Sequence, residues 1–271
     1  MSIPRPCCDC RVCVEARHRG IPYARGGPSA FLHDLDLLID TPADISNQLN
    51  RCDIRKVKYL MLTHLDPDHI EGLRVVELIN LDFRTWQVYK GEQITLLLPQ
   101  VLYERLGNIR SQYGPITDFY RKNGFLKIES FENSILIDGV RITALPVDRG
   151  KQTSFVYIFE KNDKKFIYAP CDIKPFPENR EEVRNAALLV IQPGIFEDGI
   201  KHDFYYPPDH ISRTTLYTYE QTLALAERIG VKKILFTHLE EYWGRSHDDY
   251  CALETADGRV RFAFDGMRVG V

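Results

Sequence analysis

Thr63-His64-Leu65-Asp66-Pro67-Asp68-His69 places four side chains able to bind a metal within six residues, His64 to His69. Before it runs KVKYLMLTH (56–64), an apolar stretch that reads as a buried strand stopping at His64. After it, DPDHIEGLRVVELI (66–79) reads as a helix, with Asp66 placed to cap it and Pro67 suited to its first turn. Taken singly, each residue has an ordinary explanation. His64 would be a hydrogen-bonded strand-end histidine, Asp66 a helix cap, and Asp68 an acid facing the helix dipole. Two other strand ends argue against coincidence: FIYAPCD stops at Asp172 and ILFTH at His238. Rigid strand ends fix ligands, while the loops that follow leave room for a substrate. Imidazole with carboxylate suits Zn²⁺, Fe²⁺ or Mn²⁺. His64, Asp68, His69, Asp172 and His238 are therefore expected to bind divalent metal and to use it in hydrolysis.

Working outward, the first 25 or so residues read as a Cys-rich loop and a short helix, VCVEARHRG, ended by Gly20. SAFLHD and LDLLID read as two strands joined by a tight turn. Strands are expected at 83–90, 94–99, 125–130 and 140–146, and a helix at 101–113. Phe155–Glu160 and Lys165–Pro170 read as a hairpin around Lys161-Asn162-Asp163-Lys164, followed by a strand at Ala187–Gln192. The helix Tyr219–Ile229 and the strand KKILFTH come next. The tail VRFAFDGMRVGV reads as a hairpin turning at Asp265-Gly266. Strands followed by a helix, repeated in the second half, predict two sheets packed together with helices outside. No linker divides the chain, so residues 1–271 are expected to form one domain.

Order and motifs together resemble the metallo-β-lactamase superfamily. THLDPDH is similar to its T-H-x-H-x-D-H signature, with Asp66 where the second histidine belongs. CCDCRVC, PSAFLHD, LLIDTPAD, LPVDRG, FIYAPCD, TLALAERI, ILFTH and FAFDGMRVGV follow in an order most similar to the phosphoribosyl cyclic phosphodiesterase branch of the carbon–phosphorus lyase pathway. The resemblance implies an α+β fold, an αββα sandwich of two mixed sheets with helices outside, and a two-metal site at the sheet edges. It implies a second metal held by Asp68, His69 and His238, with Asp172 bridging. The first metal would keep His64, with Asp66 in the second place. Its third ligand falls in LPVDRG, where Asp148 is the nearest ligand type and Arg149 fits the spacing equally well. The implied activity is a phosphodiesterase acting on a small phosphoester, cyclic ones included, through a metal-activated hydroxide. Hydrolysis of a lactone or thioester on the same fold is the alternative, as is a degenerate member that binds a ligand or partner through an impaired first site. Asp68 and His210, in PPDHISRTT, are the implied catalytic residues, with Arg213 as a phosphate partner. The family's glycine-rich first strand does not precede the cysteines here, so the start is expected to be shortened or that strand lost.

Seven cysteines include Cys7, Cys8, Cys10 and Cys13 in one short stretch, too crowded for good disulfide geometry. A metal clip at about 7–13 is the better reading. Cys8, Cys10 and Cys13 match three thiolates of a structural zinc, and Glu241, Cys7, His18 or His247 would supply the fourth ligand. A formal charge of −3 gives no basic platform for nucleic acid. Neither a secretory signal nor a membrane span is expected, and a cytoplasmic protein follows. The expected partner is a small-molecule phosphoester, with a homodimer as the assembly to test.

Overall fold

The computed structural model describes residues 2–88, 93–150 and 152–271. The chain folds as two compact units, Gly27–Asp138 and a discontinuous one made of Met1–Gly26 and Gly139–Val271.

In Gly27–Asp138 the strands Ala30–Leu32, Leu37–Ile39, Tyr59–Met61, Ile94–Pro99 and Leu126–Phe131 form one sheet in that order. The first pair is antiparallel and the remaining pairs are parallel. Parallel strands covered on both faces read as continuous apolar runs, and Leu37, Leu38, Ile39, Leu60, Met61 and Leu96 are all buried. A 3₁₀ turn, His33–Leu35, joins the first two strands.

The helix expected over 66–79 is broken into Pro67–Ile70, a 3₁₀ turn Glu71–Arg74, and Val75–Asn80. Close backbone approach explains the break. A Cβ on Gly72 would stand 2.1 Å from the Pro42 carbonyl oxygen, so only glycine fits there. Gly72 N–H donates to Thr41 O at 2.8 Å, and Thr41 N–H donates to His69 O at 2.7 Å. The segment carrying His69 is thereby pinned to the residues just after Asp40.

The helix expected over 101–113 is Gln100–Leu106 only. Asn108 and Ile109 N–H groups close it on Arg105 and Leu106 carbonyls, and Arg110–Ser111 then pairs with Gly114–Pro115. Gly114, at φ +101°, makes that turn, and a helix absent from the sequence reading, Ile116–Lys122, follows. Of the strand expected at 83–90, Gln87–Val88 pairs with Leu81–Asp82, while residues 89–90 lie outside the described residues.

In the discontinuous unit a second mixed sheet runs Val140–Asp148, Thr153–Lys161, Lys164–Ala169, Leu188–Ile191, Lys233–Phe236 and Val260–Phe262. Its first two pairings are antiparallel and the rest parallel. Asn162 and Asp163, at φ +49° and +62°, form the expected two-residue hairpin turn. Tyr219–Arg228 begins with a capping box in which Thr218 and Gln221 satisfy each other's backbone N–H. Ile158, Ile167, Leu189, Ile191 and Phe236 lie in its core. The tail hairpin expected at Asp265-Gly266 does not form. The Asp265 carboxylate accepts the Gly26 N–H at 2.8 Å, and a turn closes from Met267 N–H to Phe264 O.

Both sheets are mixed and both carry helices, as the α+β expectation required.

Candidate metal centre

Each unit brings part of the expected ligand set. In Gly27–Asp138, His64 stands three residues beyond the strand Tyr59–Met61, and Pro67 starts the turn that carries Asp68 and His69. Asp66 holds the N-cap position by its backbone, yet its side chain makes no capping hydrogen bond. Its Oδ2 lies instead 3.7 Å from His64 Nε2, and Asp68 Oδ2 lies 3.8 Å from His69 Nε2. Two donors bound to one ion at about 2.1 Å, at a tetrahedral angle, stand about 3.4 Å apart. Both pairs are therefore a few tenths of an ångström from the spacing an ion imposes, and too long for hydrogen bonds. The His64 and His69 rings lie 4.0 Å apart.

Behind these rings is a buried network absent from the sequence reading. Asp40, fully buried, meets His69 Nδ1 through Oδ2 at 2.9 Å. It also accepts the Thr63 N–H at 2.7 Å and the Thr63 hydroxyl at 2.8 Å. Thr63 Oγ1 lies 3.0 Å from His64 Nδ1. Engaging Nδ1 in this way selects Nε2 as the ligating nitrogen, the usual arrangement around metal-bound histidine. His64 Nε2 is buried and has no hydrogen-bond partner among the described residues. The chemistry of the donors thus fits a divalent ion. The signal for Asp40 was present: LDLLID is a further apolar strand that stops at an acid.

In the discontinuous unit, His238 follows the strand Lys233–Phe236, and Asp172 follows Lys164–Ala169. Asp40, Asp172 and His238 all take left-handed backbone, at φ +62°, +54° and +54°. Asp and His tolerate this region better than most residues, and such positions gather at functional sites. His238 Nδ1 meets Glu240 Oε1 at 3.1 Å. Burial alone would raise the Glu240 carboxyl, but the hydrogen bond and charge of His238 bring it below the ordinary range. Glu240 was also unread in the sequence.

Asp148, expected as a ligand, is exposed and accepts the Gly150 N–H at 3.0 Å. Its neighbour Arg149 turns inward and donates through Nη2 to Asp172 Oδ2 at 2.5 Å. His210 accepts the Ser212 N–H at Nδ1 (3.1 Å) and packs edge-on to Tyr206 and Phe204. Arg213, expected to meet phosphate, is committed to both oxygens of Glu197 at 2.8 and 2.9 Å.

Cys8, Cys10 and Cys13 bring their sulfurs within 4.8 Å of one another. Glu241 is fully buried beside them. Lys201 Nζ reaches Cys8 Sγ at 3.3 Å and Glu241 Oε1 at 2.9 Å. Arg5 donates its guanidinium to Glu241 at 2.9 Å and its backbone N–H to Cys13 Sγ at 3.3 Å. Hydrogen bonds from Cys10, backbone first, and then Lys201 bring the Cys8 thiol down to about 7, while burial pushes Cys13 up to about 11. Of the other fourth-ligand candidates, Cys7 and His18 are exposed, and His247 packs against Tyr23 and lies 3.4 Å from Cys251 Sγ.

Residues 36–239, about three quarters of the chain, match the model of the beta-lactamase superfamily domain. The chain belongs to the metallo-β-lactamase superfamily. It has that fold. Ribonuclease Z 1 of Schizosaccharomyces pombe is 22% identical over 233 residues, covering 81% of this chain; the chain spans only 27% of that relative's length. Among solved structures, a diphosphatase of the PhnP family superposes at a TM-score of 0.71 with 21% identity, covering all of this chain and 93% of the other. Zn²⁺-bound PqqB from Methylobacterium extorquens gives the same TM-score at 14% identity, covering all of this chain and 96% of the other. Among the described residues, no helix is long and apolar enough to cross a membrane.

Proposed function

We propose that the chain is a metal-dependent hydrolase, a phosphodiesterase acting on a small phosphoester, cyclic ones included. Asp68, His69, Asp172 and His238 hold its divalent ion, with His64 and Asp66 beside it. The two units serve as one catalytic domain in this reading, which is supported by a family match running through both. The observation that carries it is a carboxylate on Nδ1 of two of these histidines, fully buried Asp40 on His69 and partly buried Glu240 on His238. That arrangement fixes the tautomer and strengthens the ligand, and isolated structural histidines do not need it. A divalent ion in this set supplies Lewis-acid chemistry and activates water near neutral pH.

The protein's own groups do the rest. Asp68 orients the attacking water as it holds the ion. His210 accepts a backbone N–H at Nδ1, so in its neutral form the proton sits on Nε2, ready for donation to the leaving oxygen. Phosphoester chemistry, rather than another bond, is supported by the similarity to a diphosphatase and a ribonuclease. Zinc, manganese and iron all suit the donors, and the carboxylate of Asp66 favours the harder ions.

Turnover of a chromogenic phosphodiester, beside a lactone and a thioester, tests the reading. Metal-dependent release from the phosphodiester alone is expected. Turnover of the lactone or thioester without the diester overturns it.

A further inference from the structure

Where the superfamily resemblance puts the third ligand of the first metal, this chain has Asp148-Arg149. The two side chains part company. Asp148 is exposed, with its carboxylate on the Gly150 N–H. Arg149 is held by its own N–H on Gln152 O at 2.9 Å, and its side chain is only 12% exposed. Its Nη2 contacts Asp172, whose side chain is 16% exposed. A guanidinium keeps its proton at any physiological pH and offers no lone pair, so it cannot coordinate an ion. What it offers is a fixed positive charge beside the carboxylate that resemblance makes the bridging ligand.

We infer that Arg149 takes the place of the first metal, so that the chain holds a single divalent ion in its catalytic set. This rests on the proposed hydrolase reading. A carboxylate has two oxygens, so Asp172 can serve the guanidinium with one and the ion with the other. A second dication beside an inward-facing guanidinium meets like-charge repulsion, and it finds only His64 and Asp66 of the usual three ligands. The arginine does more than exclude. Its Nε and Nη1 are buried and have no hydrogen-bond partner among the described residues. Buried donors without an acceptor are costly, and each is a charge-assisted N–H able to meet an oxygen of a phosphate. Arg149 is thus the group that binds the anionic oxygen the missing ion would have held. Arg213, tied to Glu197, leaves that role open.

The test counts ions and measures anion affinity on the full chain. Elemental analysis after dialysis against zinc is made on wild type and on Cys10→Ala, so that zinc held by the cysteines is counted apart. One zinc outside the cysteines is expected in wild type, and two in Arg149→His. Arg149→Met should keep one zinc, showing an intact fold, and bind inorganic phosphate at least about tenfold more weakly by calorimetry. Two zincs outside the cysteines in wild type overturn the inference while leaving the hydrolase reading in place. None outside the cysteines overturns the reading itself. A single zinc in Arg149→His, or unchanged phosphate affinity in Arg149→Met, also refutes the role given to Arg149.

Discussion

Asp40 and His69 are both fully buried, and they meet at 2.9 Å between Oδ2 and Nδ1. Twenty-nine residues separate them in sequence. The strand Leu37–Ile39 delivers the acid, and the carbonyl of Pro42 pressed on Gly72 keeps the histidine segment against it. The same carboxylate accepts both donors of Thr63, whose hydroxyl in turn touches His64. One acid thus orients two of the histidines proposed to hold the ion.

Asp40→Asn keeps the shape but removes the charge behind His69. Metal affinity should fall about 10- to 100-fold, the usual cost of losing an outer partner of a ligand histidine. Titration with zinc, read by calorimetry, checks it. Stability of the metal-free protein should drop by only about 1–3 kcal/mol, since the amide keeps one acceptor for Thr63. An unchanged zinc affinity would contradict the orienting role.

Cys10→Ala should lose zinc held outside the catalytic set, together with thermal stability. The spacing of Cys8, Cys10 and Cys13 and the closeness of their sulfurs motivate this. Zinc that survives mild chelation in wild type and disappears in the variant is the expected result of elemental analysis. Zinc content unaffected by the substitution would rule out the clip.

Chelated protein should show a pH-dependent Cys8. Its thiol lies below the ordinary value near 9, because Cys10 and Lys201 favour the thiolate. The associated stability is therefore present above pH 9 and is lost as pH falls through about 7. Iodoacetamide labelling of Cys8 should rise with a midpoint near 7, and Lys201→Ala should move that midpoint upward. Cys13, raised to about 11 by burial, should label last. Equal midpoints for the two thiols would contradict this.

Asp66→His, made in the Arg149→His background so that the first site can fill, should shift that site's metal preference. The Asp66 carboxylate stands 3.7 Å from His64 Nε2, and replacing hard oxygen with imidazole favours zinc over manganese. Zinc affinity relative to manganese should rise by about tenfold, worth ~1.4 kcal/mol. Competition dialysis with both ions measures the ratio, and no change in it would remove Asp66 from the ion's surroundings.

Much of this was legible because apolar runs stop abruptly at ligand-type residues. His64, Asp172 and His238 each announce a strand end, and THLDPDH spaces its donors tightly. Asp40 obeyed the same rule but lies 29 residues from His69 in sequence, so only folding links the two. Spacing alone did not separate Asp148 from Arg149, because adjacent residues in a strand point opposite ways and register decides which turns inward. The broken helix after Pro67 was unreadable for a related reason. The contact that breaks it lies between Gly72 and Pro42, thirty residues apart in a chain whose local propensity is helical. The tail hairpin failed because Asp265 found the Gly26 N–H rather than its own turn.

The most direct measurement is metal content and phosphodiester turnover in His69→Ala and His238→Ala beside wild type, with circular dichroism to confirm the fold. Each variant should lose the catalytic ion and all turnover while keeping its secondary structure, since each ring has its Nδ1 on a carboxylate, which leaves Nε2 as the nitrogen proposed to hold the ion. Full metal content and undiminished turnover in either folded variant would contradict the proposed metal centre.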